Sequence, residues 1–259
     1  TWYAGEDVTF DYSRLRTAGA PLKTMGGRSS GPEPLRSLLE FVRKRILSRS
    51  GKRLSNLDVH DMICKIGEIV ESGGVRRSAL ISLSDLDDEE MRRAKTGQFY
   101  YENPQRMMAN NSAVYNEKPS SAAFLEEWLA LAKSGTGERG IFNRGGLVYQ
   151  LPKRRLKTFR RYLDAAGLNP CGEIVLRARQ FCNLTEVVAR PEDTEKTLLQ
   201  KIKIATILGT YQATLTNFPY LSKEWKKNCE EERLLGVSIT GQWDSPAVRN
   251  EATLKKMKE

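Results

Sequence analysis

The segment richest in chemistry runs Gly167-Leu168-Asn169-Pro170-Cys171-Gly172-Glu173-Ile174. An amide, a thiol and a carboxylate stand at positions i, i+2 and i+4. Pro170 pushes Asn169 out of the helical region, and Gly172 is a second helix breaker, so the stretch is extended or looped. In an extended chain alternate side chains share a face, which would gather Asn169, Cys171 and Glu173 on one side. The amide can hold hydroxyls, the carboxylate can move a proton, and the thiol can do radical or nucleophilic chemistry. The competing reading is a turn carrying a buried, inert cysteine. Cys182 follows at the start of a strand-like run, and alone it reads as a core residue.

The other candidate groups are weaker. Cys64 and Cys229 sit in helical context and read as structural. There is no Cys-x-x-Cys pair, and His60 is the single histidine, so no metal site is expected and a Ser-His or Cys-His hydrolase has little to work with. His60 itself reads as a satisfied or solvated helix residue. The loop Gly26-Gly27-Arg28-Ser29-Ser30-Gly31 feeds a helix N-terminus, where free N–H groups favour anions. It is not a Walker A loop, because Pro32 stands where the lysine should be. Gly73-Gly74-Val75-Arg76-Arg77 offers two guanidiniums that could pair with phosphate or carboxylate. The run from Lys153 to Tyr162 is basic with aromatics between, but Leu156, Phe159 and Leu163 fall at helical spacing. An amphipathic helix with a solvated basic face explains it better than a nucleic-acid site.

The elements that must position these groups alternate along the chain. Leu35, Leu38, Leu39, Val42 and Ile46 give one helix a buried stripe after Pro32-Glu33. A second helix is expected from about Leu57 to Glu71, with Ile63, Ile66 and Val70 on one face and Gly73-Gly74 as its stop. Residues 77–84 read as a covered strand and Asp87 to Glu90 as an acidic helix start. Thr96 to Asn111 reads as a polar loop. Ser120 or Ser121 caps a helix carrying Phe124, Trp128 and Leu131 that ends near Gly135. Further helices are expected at about 154–166, 194–217 and 222–235, with strands at 181–188 and 236–240. The tail from Val248 reads as a charged helix or a frayed end. Strand and helix alternate without a fixed repeat, which predicts an α/β domain with a mainly parallel sheet, open or closed.

The chain of 259 residues is long enough for a sizeable core, and its 39% hydrophobic content is that of an ordered protein rather than a disordered one. No apolar run approaches the ~20 residues of a membrane span, and the first residues lack a signal-peptide layout. A net charge of +10 favours anionic partners without choosing among them.

Taken together, these segments resemble ribonucleotide reductases, and most closely the monomeric, adenosylcobalamin-dependent ribonucleoside-triphosphate reductases of class II. Asn169-Pro170-Cys171-Gly172-Glu173-Ile174 looks like the family's finger-loop motif. Supporting matches are Gly19 to Arg28 with Ser30-Gly31-Pro32-Glu33-Pro34-Leu35, Ser72 to Ala79, Asn110-Asn111-Ser112-Ala113 and Phe181-Cys182-Asn183-Leu184-Thr185-Glu186. They follow in one order as far as about Asp244.

The resemblance implies part of a ten-stranded α/β barrel with a finger loop carrying a thiyl cysteine, over residues 1–244, followed by a charged tail at 245–259. It implies that Cys171 takes the 3′ hydrogen of a ribose, that Glu173 is the base at the 3′ hydroxyl, and that Asn169 binds the ribose hydroxyls. Cys182 matches one half of the reducing pair. Gly26, Gly27, Arg28, Ser29, Ser30 and Gly31 resemble a loop near the effector site. Gly73, Gly74, Arg76, Arg106, Asn110 and Asn111 belong to loops around substrate or effector. The implied cofactor is adenosylcobalamin. The implied partners are a ribonucleoside triphosphate, a deoxynucleotide effector, thioredoxin and the remaining part of the reductase chain, in the cytoplasm and without membrane or nucleic acid. The departures are the second redox cysteine, the substrate-phosphate loop and the C-terminal cysteine pair, none of which this sequence matches. The expectation is therefore a central fragment, or one piece of a split gene, that does not turn over alone. The rival readings are a basic nucleic-acid-binding module and a non-catalytic nucleotide-binding remnant.

Overall fold

The computed structural model describes residues 2–23, 26–72, 75–76 and 78–258. They fall into two compact units, the first reaching Glu173 and the second running from Ile174 to Glu259.

The first unit opens with helices α1 (Glu33–Ser48) and α2 (Asn56–Ile69). A capping box starts α2: Ser55 Oγ accepts from the Asp58 N–H, and Asp58 returns the contact at the Ser55 N–H. A short antiparallel pair follows, β1 (Glu71–Ser72) with β2 (Val75–Arg76). Then come β3 (Leu80–Ser84), α3 (Glu89–Arg92), α4 (Phe99–Glu102) and β4 (Ala109–Val114). These lead to α5 (Ser121–Ser134), β5 (Gly140–Phe142), α6 (Leu147–Gln150), α7 (Lys153–Phe159) and β6 (Gly167–Leu168). Strands β3, β4 and β5 form one parallel sheet with β4 in the middle, Leu80 opposite Ala109 and Ser112 opposite Gly140.

The second unit holds β7 (Val175–Leu176), β8 (Asn183–Val188), α8 (Glu195–Ala213), α9 (Lys223–Glu232), β9 (Leu235–Thr240) and α10 (Glu251–Lys258). Its β8 and β9 pair in parallel from Asn183 opposite Leu235 to Val188 opposite Thr240. The crossover helix α8 sits close on this pair at Gly209. A Cβ there would collide with the Leu235 side chain and crowd Thr185 Cγ2, so a larger residue forces the neighbours to shift. The expected α/β pattern with parallel strands is present in both units.

Several local expectations need correction. The stretch from Thr96 to Asn111 is not a loop throughout: it holds α4, a 3-10 segment over Pro104–Met108 and the first half of β4. Helix α2 ends at Ile69, before the glycines, and Gly73 and Gly74 lie outside the described residues, as do Thr24, Met25 and Arg77. The inward face of α2 is Asp58, His60, Asp61, Cys64 and Gly67, while Ile63 and Ile66 are 44% and 47% exposed. Likewise α5 buries Glu127 and leaves Phe124 and Trp128 exposed. Of the two forms expected for the tail, the charged helix is the one present, as α10. Val248 packs with Ala189 and Leu198, Ile239 and Met257 lie against that cluster, and Lys256 of α10 pairs with Glu195 at 2.7 Å.

The inversion of α2 and α5 has an electrostatic cause. Arg106 places Nε and Nη2 on the two Asp61 oxygens at 2.6 and 2.8 Å, and Arg45 adds a third donor at 3.0 Å. Arg139 grips Glu127 in the same bidentate way at 2.7 and 2.9 Å. Its remaining N–H groups reach Ser84 Oγ, Asp85 O and Leu86 O at the end of β3. Planar forks of this kind satisfy a buried carboxylate that water cannot reach.

Burial pushes the Asp61 carboxyl upward, but hydrogen bonds from Arg106 and His60 and the Arg106 charge together outweigh it and hold the group well below the ordinary carboxylate range. Asp58 and Glu127 are lowered against the same opposing effect of burial. A depressed folded-state value means stability that is present above the unfolded value of about 4 and lost as pH falls through the folded one. Thermal melts are therefore expected to weaken progressively below about pH 4. At neutral pH, Asp61→Ala should cost about 3–5 kcal/mol in denaturant titration, because it strands a buried guanidinium. Gly209→Ala should cost about 1–3 kcal/mol by overpacking.

Candidate active site

The Asn169–Glu173 stretch is a tight turn. The Gly172 N–H donates to Asn169 O at 2.9 Å, and Gly172 has φ +86°, a left-handed value that favours glycine. Cys171 stands at the third position of this turn and is exposed. The side chains at its two ends meet, with Asn169 Nδ2 donating to Glu173 Oε1 at 2.6 Å. Amide and carboxylate thus come together as expected, but through chain reversal rather than strand alternation. The inert-cysteine reading fails on exposure.

The turn is attached to the central strand of the first sheet. Asn110 Nδ2 donates to Pro170 O at 2.8 Å. Alternation along β4 sends the neighbouring Asn111 inward, where its Oδ1 lies 3.0 Å from His60 Nε2. Its backbone N–H donates to Glu138 Oε2 at 3.0 Å, and Glu138 Oε1 accepts from Lys95 at 2.8 Å. Lys95 also donates to Ala109 O. His60 is thus a buried partner of β4 and is not solvated.

The remaining predicted residues divide. Arg106 is buried, and its guanidinium is engaged by Asp61 and by Ala94 O at 2.7 Å. It holds the first unit together from inside. The glycine loop is held by backbone bonds: the Gly19 and Leu22 N–H groups donate to Ser29 O and Gly27 O, and the Ser29 N–H donates to Ala20 O. The Arg28 guanidinium donates to Gly19 O at 2.8 Å, half-buried Ser29 accepts at Oγ from the Gly31 N–H at 3.1 Å, and Ser30 is exposed. Gly26, Gly27 and Gly31 all have positive φ. A side chain at Gly31 would press on Ala18 at 3.0–3.3 Å. Arg76 is a residue of β2.

In the second unit Cys182 is half-buried just before β8, beside Phe181, whose ring meets Phe218 edge-on at 5.1 Å. Cys64 and Cys229 are buried. Burial, then the nearby Asp61 charge, pushes the Cys64 thiol up to about 12. The basic run folds as expected: Phe159 is buried, Arg155 lies over its ring at 4.4 Å, and Lys153, Arg154 and Lys157 face solvent. Among the described residues no helix is long and apolar enough to cross a membrane.

The residues missed by sequence reasoning are Glu138, Lys95 and His60 as supports of β4. Isolated charges and one histidine gave no spacing signal. A polar strand flanked by charge is the hint that could have found them.

The fold is that of a class II ribonucleotide reductase segment. A crystal structure of a B12-dependent (class II) ribonucleotide reductase superposes with TM-score 0.63 at 24% identity, covering 88% of this chain and 30% of that one. Sequence comparison narrows this further. The adenosylcobalamin-dependent ribonucleoside-triphosphate reductase of Lacticaseibacillus paracasei is 33% identical over 244 residues, which is 90% of this chain and 30% of the relative. The proteins of the same name from Euglena gracilis and Lactobacillus delbrueckii subsp. bulgaricus are 30% and 29% identical, each matching 91% of this chain and 31% of its own length. No family model matches. The chain thus spans about three-tenths of the curated relatives it matches, and the resemblance carried by the finger-loop motif is borne out.

Exposure sets the expected order of thiol labelling. Iodoacetamide at pH 8 should modify Cys171 first and Cys182 more slowly. Cys64 and Cys229 should react only after denaturation, as followed by peptide mass spectrometry.

Proposed function

We propose that this chain forms the thiyl-cysteine segment of an adenosylcobalamin-dependent ribonucleotide reductase acting on ribonucleoside triphosphates. The observation that supports this most is the turn itself: an exposed thiol at its tip and an Asn–Glu hydrogen bond across its ends. It occurs in a chain one-third identical to a reductase of that name.

The turn suits each step of the reaction. As a radical, the Cys171 sulfur takes the hydrogen atom from C3′ of the ribose. Glu173 accepts the 3′ hydroxyl proton, and Asn169 both orients that carboxylate and binds a ribose hydroxyl. The 2′ C–O bond breaks and the hydroxyl leaves as water with a proton from a dithiol. That dithiol is oxidised to a disulfide, giving two electrons and two hydrogens in all. Cys171 then returns its hydrogen to C3′. Cys182 is the proposed first thiol of the pair, and its partner is proposed to come from elsewhere in the reductase.

The residues present fit the cofactor at the exposed Cys171 thiol, which can give up a hydrogen atom to an external radical. When bound, adenosylcobalamin supplies the one-electron chemistry that makes the thiyl. His60, the single imidazole of the chain, is buried against Asn111 and would not take part in holding the cofactor. The loop from Gly26 to Gly31 is proposed to face a deoxynucleotide effector, with thioredoxin as the external reductant and the cytoplasm as the setting.

The test is a chimera with this stretch replacing the matching one in the Lacticaseibacillus paracasei reductase. Turnover of ribonucleoside triphosphate is expected. Cys171→Ser should abolish it together with tritium release from C3′-labelled substrate. Cys182→Ser should block multiple turnover and leave tritium release intact. Turnover by Cys171→Ser at the parent rate would refute the assignment.

A further inference from the structure

We propose that Asn110 is a positioning residue for the Cys171 thiol. The proposal rests on the reading of Cys171 given above and deepens it. Asn110 and Asn111 came from the sequence as a pair of substrate or effector contacts, yet the pleat of β4 gives them opposite tasks. Asn111 is buried and fixes the strand: its side chain meets His60, and its N–H meets Glu138, which is itself held by Lys95. Asn110 faces the other way, and its amide donates to the carbonyl of Pro170.

That carbonyl belongs to the peptide unit joining Pro170 to Cys171. A hydrogen bond on its oxygen limits rotation of the peptide plane leading into the thiol residue. The turn's own bond, Gly172 N–H to Asn169 O, holds the other side of Cys171. Two independent bonds therefore bracket the residue, one within the turn and one from the sheet. Pro170 has no N–H with which to compete, and its carbonyl can only accept, so Nδ2 is the atom that faces it. Being exposed, Asn110 can be changed without opening the core.

A thiol that must abstract one hydrogen and return it to the same carbon depends on fixed placement, since small displacements from reactive geometry slow such steps steeply. The chemistry needs the side chain of Cys171 free and its backbone still. The tether from β4 supplies the second condition and leaves the first alone.

The experiment uses two variants of the full chain. Asn110→Ala removes the donor, and Asn110→Asp keeps the volume but presents oxygens to a carbonyl. In both, hydrogen exchange at the Gly172 amide is expected to rise about fivefold, the equivalent of one hydrogen bond. Cys171 alkylation should change rate as well, while melting temperature and exchange at α2 amides stay at parental values. In the chimeric reductase the same substitutions should lower kcat with KM for the triphosphate unchanged. Parental exchange at Gly172 in both variants would overturn the proposal. So would a general loss of stability with uniform exchange, or a kcat equal to that of the parent chimera. Failure of the reductase reading shows separately, as turnover insensitive to Cys171→Ser, because the exchange measurement involves no turnover.

Discussion

Asp61 and Arg106 form the contact on which the first unit is assembled. The carboxylate is fully buried, and two guanidinium N–H groups from the 3-10 segment ahead of β4 close on it. Burying either charge alone costs several kcal/mol, so neither α2 nor the Arg106 segment can adopt its place without the other. The pair thereby sets where β4 begins. His60 lies one residue before Asp61 on α2 and reaches Asn111 three positions into that strand, so the same helix fixes the strand twice. What carries the thiol turn is therefore polar at its base.

This explains why two helices turn their apolar stripes outward. A helix face can be committed to carboxylate–guanidinium pairs or to aliphatic packing, and in α2 and α5 the inner face is taken by Asp61 and Glu127. Ile63, Ile66, Phe124 and Trp128 are then left on the surface of the unit. The second unit follows the commoner rule. Leu198 and Val248 are buried together, and α8 approaches the sheet through a glycine. Two kinds of core coexist in one chain.

The contrast accounts for what could be read from the sequence. Caps and stops were legible because they are local: Ser120 caps α5 at the Ala123 N–H, and Gly135 ends it with φ +70°. The finger-loop residues were legible because proline and glycine restrict the backbone irrespective of tertiary context. Strand β4 was not, since Ala-Asn-Asn-Ser carries no apolar alternation and its polar side chains are satisfied by groups distant in sequence. The burial of α2 is not legible for the same reason. Periodicity locates a stripe, but only the arrival of Arg106 and Arg45 decides that the acidic side goes inward.

The same reasoning bears on how a radical site differs from an ordinary nucleophilic one. A nucleophilic thiol is activated by a raised acidity, which a cation or imidazole beside the sulfur provides. Here the single histidine is committed to β4, and the buried guanidiniums are committed to carboxylates. Among the described residues none is arranged as a base for Cys171 itself, and the carboxylate in the turn is bound to the Asn169 amide. Hydrogen-atom transfer places no demand on the acidity of the thiol, only on its position. A turn bonded within itself and to the middle strand of a sheet, with its thiol exposed at the tip, meets that demand.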